Sequence, residues 1–153
     1  MRFKAIILCL LFAACVDDHV EQPPVDFSKL VALWNIVSIT ELGLNTPTYP
    51  PIPYQVGKDY IVGFTAAGTF GFDLDRNTCA GFFEVPAPGR IKYGMIICDK
   101  VCCDSSFGQA IKNLLPTLTY YHFKGDTLVL TGKNSGPEDA LLTGSGAIWM
   151  VRQ

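Results

Sequence analysis

Apolar and polar residues alternate along most of this chain with a period near two, and one run has a helical period instead. Leu30 to Leu42 (LVALWNIVSITEL) is rich in Val, Ile and Trp, and it predicts a long first strand ending at Gly43. Strict alternation puts Trp34, Ile36 and Ser38 on one face and Val37 and Ile39 on the other, with Trp34 as a core anchor. Tyr60 to Thr65 and Thr69 to Leu74 read as two strands joined through Ala66-Ala67-Gly68, where Gly68 can take a positive φ. Ala80 to Val85 and Arg90 to Ile97 form a hairpin about the turn Pro86-Ala87-Pro88-Gly89. Met95, Ile96 and Ile97 are apolar on both faces, which predicts a central strand.

The period then changes. Phe107, Ala110, Ile111, Leu114 and Leu115 fall on one helical face, capped by Asp104 or Ser105 and stopped by Pro116. Thr117 to Phe123 and Thr127 to Leu130 are strands about Lys124-Gly125-Asp126, and a polar loop precedes a last strand, Ala147 to Arg152. Eight strands and one helix without βαβ alternation predict a mainly β (α+β) fold, a single compact antiparallel sheet or barrel around one internal helix. Leu44 to Lys58 interrupts this pattern with Pro47, Pro50, Pro51 and Pro53, so no regular ladder is expected across it. Tyr49, Pro51 and Tyr54 make that loop a candidate binding rim, the alternative being a flap packed on the barrel end.

At 153 residues, 49% hydrophobic and 17% charged, the chain suits one domain with a real core. The amino terminus departs from this pattern. Arg2 and Lys4, the apolar run Ala5 to Phe12, and Ala13-Ala14 form an export signal over residues 1–14, too short to span a bilayer. Leu11-Phe12-Ala13-Ala14-Cys15 resembles the lipobox of bacterial lipoproteins, which implies lipid on Cys15; an ordinary secretory signal with an incidental cysteine is the alternative. Residues 15–27 then read as an acidic tether containing Pro23-Pro24, and 28–153 as the folded domain. Cleavage before Cys15 leaves ten basic residues against fourteen acidic ones, a net of −4, which with no basic run excludes a nucleic-acid partner. The expected location is the cell envelope, as an outer membrane lipoprotein. Acidic residues after a lipidated cysteine resemble a signal for its outer face in some bacteria and for inner-membrane retention in others.

Cys79, Cys98, Cys102 and Cys103 remain in the domain, an even number in an exported chain and hence a disulfide framework. A bond between adjacent Cys102 and Cys103 strains the geometry, so the expected pairing is Cys79 with one of them and Cys98 with the other. Four thiolates on a metal are the rival reading, although the spacing lacks repeated knuckle pairs, so neither metal nor other cofactor is expected. No catalytic residues are proposed: His19 lies in the tether and His122 in a predicted strand, and no nucleophile elbow, zinc-protease, P-loop or dinucleotide fingerprint occurs. Asp73 and Asp75 alternate on one strand face and read as a solvated edge.

Taken in order, several segments resemble the META domain, also called HslJ-like, of bacterial envelope proteins. They are Leu33-Trp34-Asn35-Ile36 with Ile39, Asn77-Thr78-Cys79-Ala80-Gly81-Phe82-Phe83, Cys98 through Ser106, the helix to Leu115, Tyr121 to Leu130 with its Lys124-Gly125-Asp126 turn, and Ile148-Trp149. The resemblance covers Leu30 to Arg152, and the double Cys102-Cys103 departs from its pattern of a single cysteine before the helix. It implies a compact antiparallel β fold with one helix, found in lipoproteins and stress-associated envelope proteins, with no catalytic residues to carry over. The expected function is therefore a non-catalytic envelope module that binds an unknown envelope or extracellular partner or supports envelope stress tolerance. A lipocalin-like carrier of a small apolar ligand and an inhibitor of a secreted enzyme are the alternatives.

Overall fold

The computed structural model describes residues 25–42, 52–53, 58–101, 104–132 and 145–153. The signal segment, Cys15, the tether up to residue 24, Tyr49, Pro51, Tyr54, Cys102 and Cys103 lie outside the described residues. Strand β1 (Ala32–Leu42) is the one on which the sheet closes, because it is paired along both edges. On one edge it runs antiparallel to β9 (Ser145–Arg152). On the other it meets β3 (Ile61–Phe64) through Ala32 to Asn35, and the two-residue strand β2 (Ile52–Pro53) through Ser38 and Ile39. No ladder is expected across the Pro-rich stretch, and β2 is a small correction: a proline fits where its missing N–H is not needed, and only two residues pair.

From β3 the ring continues antiparallel through β4 (Thr69–Asp73), β5 (Thr78–Ala87) and β6 (Arg90–Cys98), then β7 (Tyr120–Lys124), β8 (Thr127–Thr131) and β9. Among the described residues eight strands close the ring, with β2 as an addition beside β1, and one short helix, α1 (Ser106–Leu114), follows β6. The seam is between β6 and β7, which share the pair Arg90 and Tyr120 flanked by backbone bonds Ile91 N to Thr119 O and Tyr121 N to Gly89 O, both 2.9 Å. Gly68 takes a φ of 73° in the β3–β4 turn, as its position in the sequence requires.

Alternation along each strand sends one set of side chains inward. Trp34, Val62, Phe72, Cys79 and Cys98 form one inward register row across β1, β3, β4, β5 and β6. Rings fill the interior beside that row: Phe64 and Phe83 meet edge to face at 5.2 Å, and Phe70 lies 5.0 Å from Tyr93. Helix α1 buries Phe107, Ile111 and Leu114 at the end where β3 begins and β4 ends, with Phe107 4.9 Å from Tyr60. A 3-10 turn at Leu115–Thr117, containing Pro116, stops it.

Three sequence expectations change. Strict alternation places Ile39 opposite Trp34, but the register of β1 against β9 shifts between Ile36 and Ser38. That bulge leaves Val37 exposed and turns Ile39 inward with Trp34 and Ile36. Strand β6 is not buried on both faces: Ile96 packs against the core, while Met95 and Ile97 alternate to the outer face of a single-layer ring and are 76% and 68% exposed. Finally, Phe27 belongs to the fold and not to the tether: it packs against the core edge to face with Phe83 at 5.7 Å, so the fold begins before residue 28.

Candidate functional site

A polar clasp binds the start of α1 to the loop after β4. Ser105 is the N-cap: its Oγ accepts from Gly108 N at 3.1 Å. That same hydroxyl donates to Asp75 Oδ2 at 2.7 Å, and Ser105 N donates to the same oxygen at 2.9 Å. The Tyr60 hydroxyl donates to Asp75 Oδ1 at 2.7 Å, while the Lys58 ammonium donates to the carbonyls of Leu74 and Asp75. Gly108 makes this approach possible, since a Cβ there would stand 2.5 Å from Asp75 Oδ2. Asp104, the other cap candidate, instead accepts from Arg76 N, Asn77 N and Asn77 Nδ2, and Asn77 exchanges two bonds with the backbone of Val101.

Burial works against the Asp75 carboxylate, but the bonds from Tyr60 and Ser105 and the charge of Lys58 outweigh it and hold its carboxyl below the ordinary aspartate value. Burial raises the Tyr60 hydroxyl above its ordinary value; the Ser105 bond opposes this and the Asp75 carboxylate adds to it. Every oxygen in the clasp is engaged with helix or loop, so its chemistry is that of a fastening. Asp75 is thus not the solvated edge residue expected from its spacing. Asp73 does sit exposed on that edge, accepting from Thr78 Oγ1 at 2.9 Å. His122 is half-buried on β7, and its Nε2 has no hydrogen-bond partner among the described residues.

The cysteine pairing is a correction. Cys79 bonds to Cys98, directly opposite it across β5 and β6, and not to Cys102 or Cys103. Strand register explains this: Ala87 lies opposite Arg90, two register shifts along the hairpin cancel, and residues 79 and 98 face each other. With those two thiols joined, the four-thiolate metal site loses two of its ligands. The bridge closes a loop over a sequence separation of 19, and removing it as Cys79→Ala with Cys98→Ala should cost about 2–3 kcal/mol. Urea unfolding of the double variant beside the oxidised parent checks this, and unchanged midpoints would show that the bridge contributes nothing.

The other feature is on the outer surface. Leu33, Gly63, Gly71, Ala80 and Ile97 form one outward row across the same five strands as the inward row of Trp34. The three central positions carry no side chain or a methyl group, leaving a groove of about 590 Å³ edged by Ile61, Thr65, Asp73 and Thr78. Phe82, Met95 and Ile97 rise beside it. Sequence reasoning missed this face because apolar residues at those positions imply a covering layer, and among the described residues none lies over it.

No protein-family model matches the chain, and no curated protein matches it at a significant level. Among solved structures it is similar to a DUF4847 family protein from Bacteroides vulgatus, with a TM-score of 0.53 and 14% sequence identity over 81% of this chain and 94% of that one. That likeness shows the fold alone: a mainly β ring of antiparallel strands with one short helix.

Proposed function

We propose that this chain is a non-catalytic, lipid-anchored domain of the cell envelope that works by docking a protein on the outer face of β3 to β6. The observation that carries the reading is the contrast between the two faces of the sheet. Inside, Trp34, Phe64, Phe70, Phe72 and Phe83 occupy the ring that a carrier would keep open. Outside, Phe82, Met95 and Ile97 stand uncovered beside an apolar groove. The lipobox at Cys15 and the resemblance to META and HslJ-like envelope proteins support the location, and that resemblance carries no catalytic residues.

The test has two parts, both in the native envelope. Protein labelled with radioactive palmitate should lose the label, and its membrane attachment, on Cys15→Ser. A photo-crosslinking residue at Ile97 should give a protein adduct that the same residue at Lys112 does not. An unlabelled parent would remove the anchor. A native mass with a retained apolar ligand, and no adduct at Ile97, would move the function to the carrier.

A further inference from the structure

The outer face has relief on both sides of one line. On β3, β4 and the start of β5 the row of Gly63, Gly71 and Ala80 is a depression, and further along β5 and β6 Phe82, Met95 and Ile97 form a ridge alongside it. Their exposures, 66%, 76% and 68%, are those of side chains with nothing among the described residues over them. Five strands at about 4.8 Å spacing make the row about 19 Å wide. Ridge and depression therefore fit within one contact.

We infer that this face closes on the same face of a second copy of the chain. With a two-fold axis parallel to the strands between β4 and β5, β5 and β6 of each copy lie over β4 and β3 of the other, so that Ile97 enters the depression over Gly63 while Phe82 and Met95 lie over Thr69 and Thr65 at its rim. One surface supplies both knob and hole, which is the condition for an isologous pair. Among the groove's lining residues Asp73 is the charged one and none is basic, so neither an acidic headgroup nor a phosphate is favoured there. Leu33, Phe82, Met95 and Ile97 together offer on the order of 500 Å² of apolar surface, the size of the largest patch on an ordinary monomer. Adding the groove floor and its threonine rim brings the face toward the roughly 800 Å² per partner of a stable interface. The inference rests on reading this face as a docking surface, and not on lipid at Cys15.

Sedimentation equilibrium of residues 15–153 carrying Cys15→Ser, from about 1 to 100 μM, tests it without association driven by lipid or by the apolar signal segment. A monomer–dimer equilibrium is expected, with Met95→Lys and Gly71→Val each raising the dissociation constant by about tenfold or more. Met95 is exposed, so at a concentration where the parent is monomeric the lysine variant should keep the parent's thermal midpoint, separating loss of docking from loss of fold. A monomer throughout that range, or a dimer indifferent to both substitutions, overturns the inference. If the chain is monomeric and Ile97 still crosslinks to a different protein in the envelope, the second copy is wrong while the docking reading stands.

Discussion

Trp34→Ala is expected to lower the unfolding free energy by about 3–5 kcal/mol, the largest single loss predicted for this chain. Trp34 is 1% exposed and lies in the inward row opposite Val62 and Arg152, so its removal opens a cavity that the neighbouring strands cannot close. It also ties together both ends of the domain. Its Nε1 donates to Leu30 O at 2.9 Å, which fixes the turn that brings Phe27 onto the core. The Arg152 guanidinium lies 5.3 Å from the ring centroid, with its Nη2 bonded to Lys29 O at 3.0 Å, and Phe123 stands 6.0 Å away on β7. Trp34→Phe keeps much of the area and loses the donor, so it should cost about 1–2 kcal/mol. Urea unfolding of both variants checks the ranking, and equal losses would mean that packed volume at this position is unimportant.

That such an anchor is legible in the residues alone reflects what alternation encodes. A strand that buries one face must repeat its apolar residues every second position, and Phe70 and Phe72 or Leu128 and Leu130 carry that signal without help from elsewhere in the chain. Helix α1 is equally legible, because its four apolar positions, Leu115 just after it and Pro116 are local. The bulge at Val37 is not, since its cause is the pairing of β1 with β9, more than a hundred residues away.

Site features divide the same way. The Cys79–Cys98 pairing is set by the register of β5 against β6, which shifts twice between the Ala87–Arg90 pair at the turn and the Gly81–Ile96 pair, the two shifts cancelling. Strain in a bond between adjacent Cys102 and Cys103 bears on one pairing and says nothing of strand register, which is what decides the partner of Cys79. The uncovered face at Met95 and Ile97 has a misleading signal, because apolar residues on both sides of a strand imply burial whether the covering surface belongs to the same chain or to another. The clasp at Asp75 has no signal at all: its partners Tyr60 and Ser105 are 15 and 30 residues distant, and only the folded ring brings them to one carboxylate.

Asp75→Ala is accordingly the second substitution with a large expected cost, about 3–4 kcal/mol at neutral pH. Three bonds to a charged acceptor are lost together, and two of the groups left behind are the hydroxyl of buried Tyr60 and the cap residue of α1. The carboxylate also stands at the positive end of the helix, whose first turn has no acidic residue of its own. Its pH dependence follows from the direction of the shift. With the folded carboxyl held below the ordinary value, the stabilisation is complete above the unfolded value of about 4 and drains away as pH falls through the lower folded value. Tyr60, raised in the fold, acts at the opposite limit: its contribution is complete below about pH 10 and is lost as pH rises beyond that. The gap in stability between parent and Asp75→Ala should therefore be constant from about pH 5 to 9 and narrow below pH 4. Urea titrations at pH 7 and pH 2.5 measure it directly. An undiminished gap at the lower pH would show that Asp75 acts through packing alone and that the charge on its carboxylate does not hold the helix in place.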